Sequence, residues 1–260
     1  MTLNAPPAPV PARPCRMSPS PSPMTTPDRA PSAPVIDVRE PDGWYARVKP
    51  VLDAALSLVF LAPALALIAL AAVAIKLTSP GPILYTQTRL GRGGRPYTIW
   101  KLRTMRFRCE ARSGARWSTP GDSRVTAVGR LLRATHIDEL PQLWNVLRGE
   151  MSLVGPRPER PELIAALELE RRVPGYPARL LVRPGVTGLA QLQLPPDTDV
   201  ESVRRKVAYD LYYIRRMGLG LDLRLLLGTV LKVARGRPRA LRAVLSLPHS
   251  DVVEAILRTG

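Results

Sequence analysis

The chain has 260 residues, 45% of them hydrophobic, with 38 Lys and Arg against 21 Asp and Glu, a formal charge of +17 and an isoelectric point near 11.0. That length suits one domain with appendages, and the basic excess calls for an anionic partner: nucleic acid, an anionic lipid surface or phosphorylated substrates. Cys15 and Cys109 sit in unrelated contexts and His136 and His249 are the only histidines, which argues against a disulfide framework and against a Cys/His zinc site.

Residues 1–41 hold 12 of the 29 prolines, four Arg and three acids. Such a segment buries too little apolar surface to offset its ordering entropy, so residues 1–44 are expected to form a disordered, Pro-rich tail. Its net charge is only +1, leaving +16 for the rest of the chain. No basic stretch followed by an apolar run opens the sequence, as a cleavable signal peptide would require.

From Ala54 to Ile75 there are 22 residues without a charge. As a straight helix they would reach about 33 Å, against about 30 Å of bilayer hydrocarbon. Pro63 removes a backbone donor and bends the helix. Arg47 and Lys49 precede the stretch; Lys76, Arg89, Arg92 and Arg95 follow it. A spanning helix would place one basic group outside, against the positive-inside tendency, whereas a re-entrant helix that breaks at Pro63 keeps both groups on one side. Residues 45–78 are therefore expected to insert into a membrane, with re-entry the route the charges favour.

Ser79-Pro80-Gly81-Pro82 stops the helix. Ile83–Arg89 and Tyr97–Thr104 read as strands joined by Gly91-Arg92-Gly93-Gly94 into a hairpin. Helices are expected at 124–134, 138–148, 159–171, 200–217 and 221–236, with Gly/Pro junctions between several of them. Residues 240–260 are read as a C-terminal extension, where an amphipathic helix is expected. The fold class is helix-rich α+β: an N-terminal membrane-inserted helix, a small β-hairpin and a main domain over 79–239.

Between Arg89 and Arg133, 12 Lys and Arg stand against Glu110 and Asp122. Tyr97, Trp100, Phe107 and Trp117 interleave this basic field, so it suits RNA as well as an inner-leaflet surface. Just beyond lies Thr135-His136-Ile137-Asp138-Glu139-Leu140-Pro141-Gln142. An isolated Asp-Glu pair in a first helical turn, capped by Thr135, is ordinary helix chemistry. Beside Arg130 and Arg133, the same pair can also hold one magnesium ion through oxygen ligands. A carboxylate can act as the nucleophile of a phosphoryl transfer by forming an acyl phosphate.

The wider run from Arg133 to Pro158 resembles the signature of the bacterial sugar transferases, the monotopic polyprenyl-phosphate hexose-1-phosphate transferases also called small phosphoglycosyl transferases. Further matches follow in order: Lys49 with Asp53, Ser79-Pro80-Gly81-Pro82, Lys101-Leu102-Arg103-Thr104-Met105, Arg183-Pro184-Gly185-Val186-Thr187-Gly188 and Tyr209-Asp210-Leu211-Tyr212-Tyr213. They cover roughly residues 45–236. The resemblance implies a Mg2+-dependent enzyme of the bacterial inner membrane, with residues 79–239 as a catalytic domain on the cytoplasmic face. It implies a UDP-sugar donor, a polyprenyl phosphate acceptor, contact with inner-membrane lipid and no nucleic-acid partner.

By the same resemblance Asp138 is the nucleophile on phosphorus, and Glu139 its partner in magnesium binding or proton handling. Arg133, Arg157 and Arg183 belong near the phosphates, a task that suits guanidinium forks. Lys101 and Arg103 are expected to contact nucleotide or phosphate, or else the membrane surface. Asp210 lies near the metal or pairs with a neighbouring arginine. The family breaks its inserted helix at a Ser-Pro pair, where this chain has Ala62-Pro63. The rival reading, from another class, is a membrane-tethered basic protein that recruits RNA or anionic lipid.

Overall fold

The apolar stretch folds as the middle of one 35-residue helix, α1 (Trp44–Thr78), in a computed structural model that describes residues 38–109, 117, 119, 121–235 and 245–255. The Pro-rich tail through residue 37 and most of the C-terminal extension therefore lie outside the described residues. The helix is not interrupted at Pro63. Proline costs a single backbone bond there, and Leu61, Ala62, Ala64 and Leu65 around it are strong helix formers, so the turn survives.

Buried positions Tyr45, Lys49, Asp53, Ser57, Ala64, Ala71 and Ile75 recur along one stripe of α1 from end to end. Val51, Leu58, Val59, Leu65, Leu70 and Leu77 on other faces are exposed. The helix thus rests on the rest of the protein over its whole length and turns a broad apolar face outward, as a membrane-contacting surface does. Among the described residues it is the one helix long and apolar enough to cross a membrane.

Ala64 joins the main core with Ile99, Leu143 and Val146, while Ala71 and Ile75 pack against Leu102 and Leu132. Near the N-terminal end the contacts are polar. Lys49 Nζ lies 2.5 Å from Asp222 Oδ2 and 3.3 Å from Asp53 Oδ2. Ser152 donates to Asp53 at 2.6 Å, and Tyr213 donates to Asp222 at 2.9 Å.

Alternating residues and two glycines make the expected hairpin. Strands β1 (Leu84–Leu90) and β2 (Pro96–Leu102) pair antiparallel, Leu84 opposite Leu102 and Leu90 opposite Pro96. Gly93 and Gly94 have φ of 67° and 73°, the left-handed region where a Cβ is costly. A second, parallel pair was not expected from sequence: β3 (Ser152–Val154) with β4 (Gly185–Thr187). Three-residue strands bounded by Gly and Pro carry no readable alternation. Their backbones approach closely at glycine, and a Cβ on Gly155 would sit 2.5 Å from the Arg183 carbonyl oxygen.

Among the described residues the further α-helices are α2 (Ala127–Thr135), α3 (Gln142–Leu147), α4 (Pro161–Ala166), α5 (Leu169–Arg172), α6 (Leu189–Gln193), α7 (Val200–Arg216), α8 (Leu219–Arg235) and α9 (Ser250–Glu254). Two expected helices prove discontinuous. Residues 138–148 divide into a 3-10 turn over Ile137–Glu139 and α3, with Pro141 between them. Residues 159–171 divide into α4 and α5 where Glu168 takes a left-handed conformation. Thr135 does not cap the turn that follows; it ends α2, its hydroxyl donating back to the Leu131 carbonyl at 2.9 Å.

Candidate active site

Asp138 and Glu139 sit on a 3-10 turn whose position is fixed from both sides. On the upstream side Thr126 caps α2, accepting from the Gly129 N–H at 2.9 Å. Gly129 lies so close to the Thr104 carbonyl that a Cβ has no room. Arg133 Nε donates to the Thr104 hydroxyl at 2.9 Å, so α2 is held against the chain leaving β2. His136, at φ 56°, then ends α2 and swings the backbone into the acidic turn.

Downstream, the wholly buried Asn145 of α3 donates to the Thr98 carbonyl at 2.7 Å and accepts from the Trp100 N–H at 3.2 Å. These bonds lock α3 to β2 and bring Lys101, next to the end of that strand, over Glu139. Lys101 Nζ is 2.7 Å from Glu139 Oε1. The opposite wall is the Pro156-Arg157-Pro158 segment after β3. Arg157 Nη2 reaches the same Glu139 oxygen at 3.2 Å. Its backbone is held in turn, because Arg179 donates to the Arg157 carbonyl at 2.8 Å and to Asp210 at 2.7 Å.

The two neighbouring carboxylates thereby acquire opposite character. Burial would raise Glu139, but the positive charges of Lys101 and Arg157 outweigh it and hold its carboxyl well below the usual range. Asp138 is pushed up to about 6, first by burial and then by the Glu139 charge beside it, with Lys101, Arg133 and Arg157 pulling the other way. Adjacent acids in a cleft whose surroundings drive them in opposite directions make a candidate functional site. Glu139 is a fixed anion tied to two cations; Asp138 has the more basic carboxylate.

Both acids line a cleft of about 1590 Å3 together with Lys101, Arg103, Arg133 and Arg157. Of the residues expected from sequence, Lys101, Arg133, Arg157, Asp138 and Glu139 are brought together. Arg103 lines the cleft too, but its guanidinium donates to the carbonyls of Ser79 and Pro80 (2.8 Å to Ser79), beyond the last turn of α1. Arg183 does not line the cleft; its guanidinium lies near Gly149. Asp210 is absent from the cleft lining and forms the buried pair with Arg179.

The cleft also holds cations that no motif flagged. Lys206 of α7 pairs with Asp197 at 2.9 Å, and Lys232 of α8 donates to the Gln191 carbonyl at 2.8 Å. His136 is lowered by burial and by the charges of Lys232, Arg157 and Lys101.

Among the described residues no three His, Cys, Asp or Glu side chains converge as a ready-made metal cage. Magnesium does not need one, since it binds through one or two carboxylates with substrate phosphates and water completing the shell. Asp138 and Glu139, adjacent and open to the cleft, fit that requirement.

A body seated on an apolar helix, with an acidic pair inside a cation-lined cleft, suits transfer of phosphate-linked groups at a membrane surface. The family profile described as bacterial sugar transferase matches residues 44–236. The chain belongs to the bacterial sugar transferase family. It is 47% identical over 213 residues to the UDP-glucose:undecaprenyl-phosphate glucose-1-phosphate transferase of Caulobacter vibrioides, a match covering 78% of this chain and 77% of that protein. It is 42% identical to the exopolysaccharide production protein PSS of Rhizobium leguminosarum, over 70% of this chain and 91% of the other. It is also 39% identical to the UDP-N-acetylgalactosamine-undecaprenyl-phosphate N-acetylgalactosaminephosphotransferase of Aeromonas hydrophila, over 75% of this chain and 46% of that protein, so it spans under half of that longer relative.

Proposed function

We propose that this protein is a phosphoglycosyl transferase that moves a sugar-1-phosphate from a UDP-sugar to polyprenyl phosphate, on the cytoplasmic face of the bacterial inner membrane, as the first step of a surface-glycan assembly. The observation that carries this reading is the paired acidic turn. Asp138 combines a raised carboxyl with access to the cleft, while Glu139 is clamped by Lys101 and Arg157.

In the first half-reaction an Asp138 oxygen attacks the β-phosphorus of the donor. The bond from that phosphorus to the bridging oxygen breaks, and UMP leaves with the electron pair. In the second half, an oxygen of the lipid phosphate attacks the same phosphorus, the aspartyl bond breaks, and the carboxylate is restored. The acyl phosphate is a mixed anhydride, so the group remains activated between the halves. Arg133, Arg157 and Lys101 supply fixed positive charge where phosphoryl oxygens gather, which is the main demand of such a transfer. Magnesium held by Asp138 and Glu139 would supply further neutralisation of the donor diphosphate.

The test is a panel of UDP-sugars assayed for UMP release with polyprenyl phosphate; the names of the similar proteins give UDP-glucose as donor in one case and UDP-N-acetylgalactosamine in another. Incubation with the productive donor alone is expected to add one sugar-phosphate mass to the peptide bearing Asp138. Asp138→Asn is expected to abolish both the adduct and turnover. Robust turnover by that variant would eliminate the nucleophile assignment.

A further inference from the structure

Lys232 reaches the cleft from α8, 94 positions beyond Asp138, with no motif around it. Its hydrogen bond to the Gln191 carbonyl uses one of three ammonium protons, and it pairs with no carboxylate among the described residues. Burial and the charges of Arg157 and Lys206 lower it, so it adds to a positive wall rather than closing an ion pair.

The surface of α8 changes character around its circumference. Successive residues are about 100° apart, which orders the cleft-lining positions as Lys232, Thr229, Val233 and Val230. The first is half-buried, and the last two are 40% and 64% exposed. Val230 continues into an exposed apolar stripe with Leu219, Leu223 and Leu227. At its start α8 is bonded through Asp222 to Tyr45 and Lys49 of α1, the helix with the outward apolar face. The cleft therefore has one polar edge at Lys232 and one apolar lip at Val233 and Val230, continuous with the exposed stripe of α8.

We infer that Lys232 binds the phosphate of the isoprenoid acceptor, and that Val233 and Val230 form the lip over which its hydrocarbon chain leaves the cleft. The inference rests on the proposed function and adds an acceptor subsite to it. A phosphate monoester on a long apolar chain is the one substrate that matches both ends. The nucleotide sugar gains nothing from an exposed valine lip.

The experiment separates the two substrates in full-length protein in detergent micelles. In a two-step mechanism kcat/KM for each substrate reports only its own half-reaction. Lys232→Gln is expected to lower kcat/KM for polyprenyl phosphate by roughly tenfold or more, the scale of one charge-assisted hydrogen bond, and to leave kcat/KM for the UDP-sugar unchanged. Lys232→Arg should recover most of the loss. Val230→Asp, at an exposed position that folding tolerates, should impair a long-chain acceptor while sparing a short water-soluble isoprenyl phosphate. A fall in kcat/KM for the UDP-sugar would assign Lys232 to the donor diphosphate and overturn the inference, as would an unchanged value for the acceptor. Binding to micelles doped with polyprenyl phosphate, compared with polyprenol, requires no turnover. Wild-type binding that Lys232→Gln loses, in a protein that releases no UMP from any donor, would leave the subsite standing and the transferase reading overturned.

Discussion

Lys49 and Asp222 are 173 positions apart and meet at 2.5 Å inside the protein, where Asp222 also accepts from Tyr45 and Tyr213. This cluster joins α1 to the start of α8. Asp222→Asn would leave a buried ammonium with only Asp53, at 3.3 Å, to balance it. Breaking one partner of a buried pair costs about 3 kcal/mol or more, which for a chain of this size corresponds to a fall of about 10 °C in Tm. Thermal unfolding in detergent measures it. Combining Lys49→Met with Asp222→Leu should recover part of the loss, because no charge is then stranded.

The reaction should show an acid limb set by Asp138. Before a cation binds the pair the Asp138 carboxyl is raised to about 6, so at limiting magnesium the ionised form needed for attack is depleted below that pH. For the nucleotide sugar, kcat/KM should therefore rise about tenfold per unit up to pH 6 and then level off. Added magnesium should draw the limb to lower pH. Glu139 lies too low to titrate in this range. Lys101→Met removes a charge that lowers both carboxyls, so the limb should move to higher pH. A limb that stays in place in this variant would show that Lys101 does not act on the pair electrostatically.

Gly155→Ala should be among the most disruptive small substitutions. The added methyl would stand 2.5 Å from the Arg183 carbonyl oxygen and 2.9 Å from the Gly185 nitrogen, both backbone atoms that cannot rotate away. Overpacking of this kind costs about 3 kcal/mol. Arg157 is two residues further on, so activity should fall more than the loss of folded protein accounts for, measured as rate per folded molecule.

Both ends of α1 should be found on the same side of the membrane, because Tyr45 and Lys49 at one end and Ala71 and Ile75 at the other are all buried against one body. In a protein with Cys15 and Cys109 replaced by Ser, Trp44→Cys and Leu77→Cys occupy exposed positions. An impermeant maleimide added to intact cells should label neither. Labelling of just one would reveal a spanning helix.

The hairpin, α1, α7 and α8 were legible because each has a clean signal: a glycine turn between alternating residues, an uncharged apolar run, or helical periodicity ended by Gly or Pro. The acidic turn was legible only as a motif. Its neighbourhood suggested a continuous helix, and the left-handed His136 and Pro141 that break it act through local geometry which periodicity does not register. The β3–β4 pair escaped because it depends on glycines allowing two backbones to touch. Arg103 and Lys232 show the limit most directly. A motif containing Arg103 cannot reveal that its guanidinium is spent on the carbonyls of Ser79 and Pro80. Lys232 looks in sequence like any lysine on an amphipathic helix, and tertiary packing alone carries it to the cleft that Asp138 also lines.

The seating of α1 along the body has an energetic consequence for a lipid substrate. Drawing an isoprenoid chain into water would cost about 0.8 kcal/mol for every methylene-sized group exposed, which no cluster of cations could repay over dozens of carbons. With α1 buried at both ends against the body that carries the cleft, the separation between Asp138 and the outward apolar face of α1 is set when the protein folds. On the proposed function, an isoprenoid acceptor would then stay dissolved in the leaflet while its phosphate alone rises into reach, a headgroup that never has to be extracted.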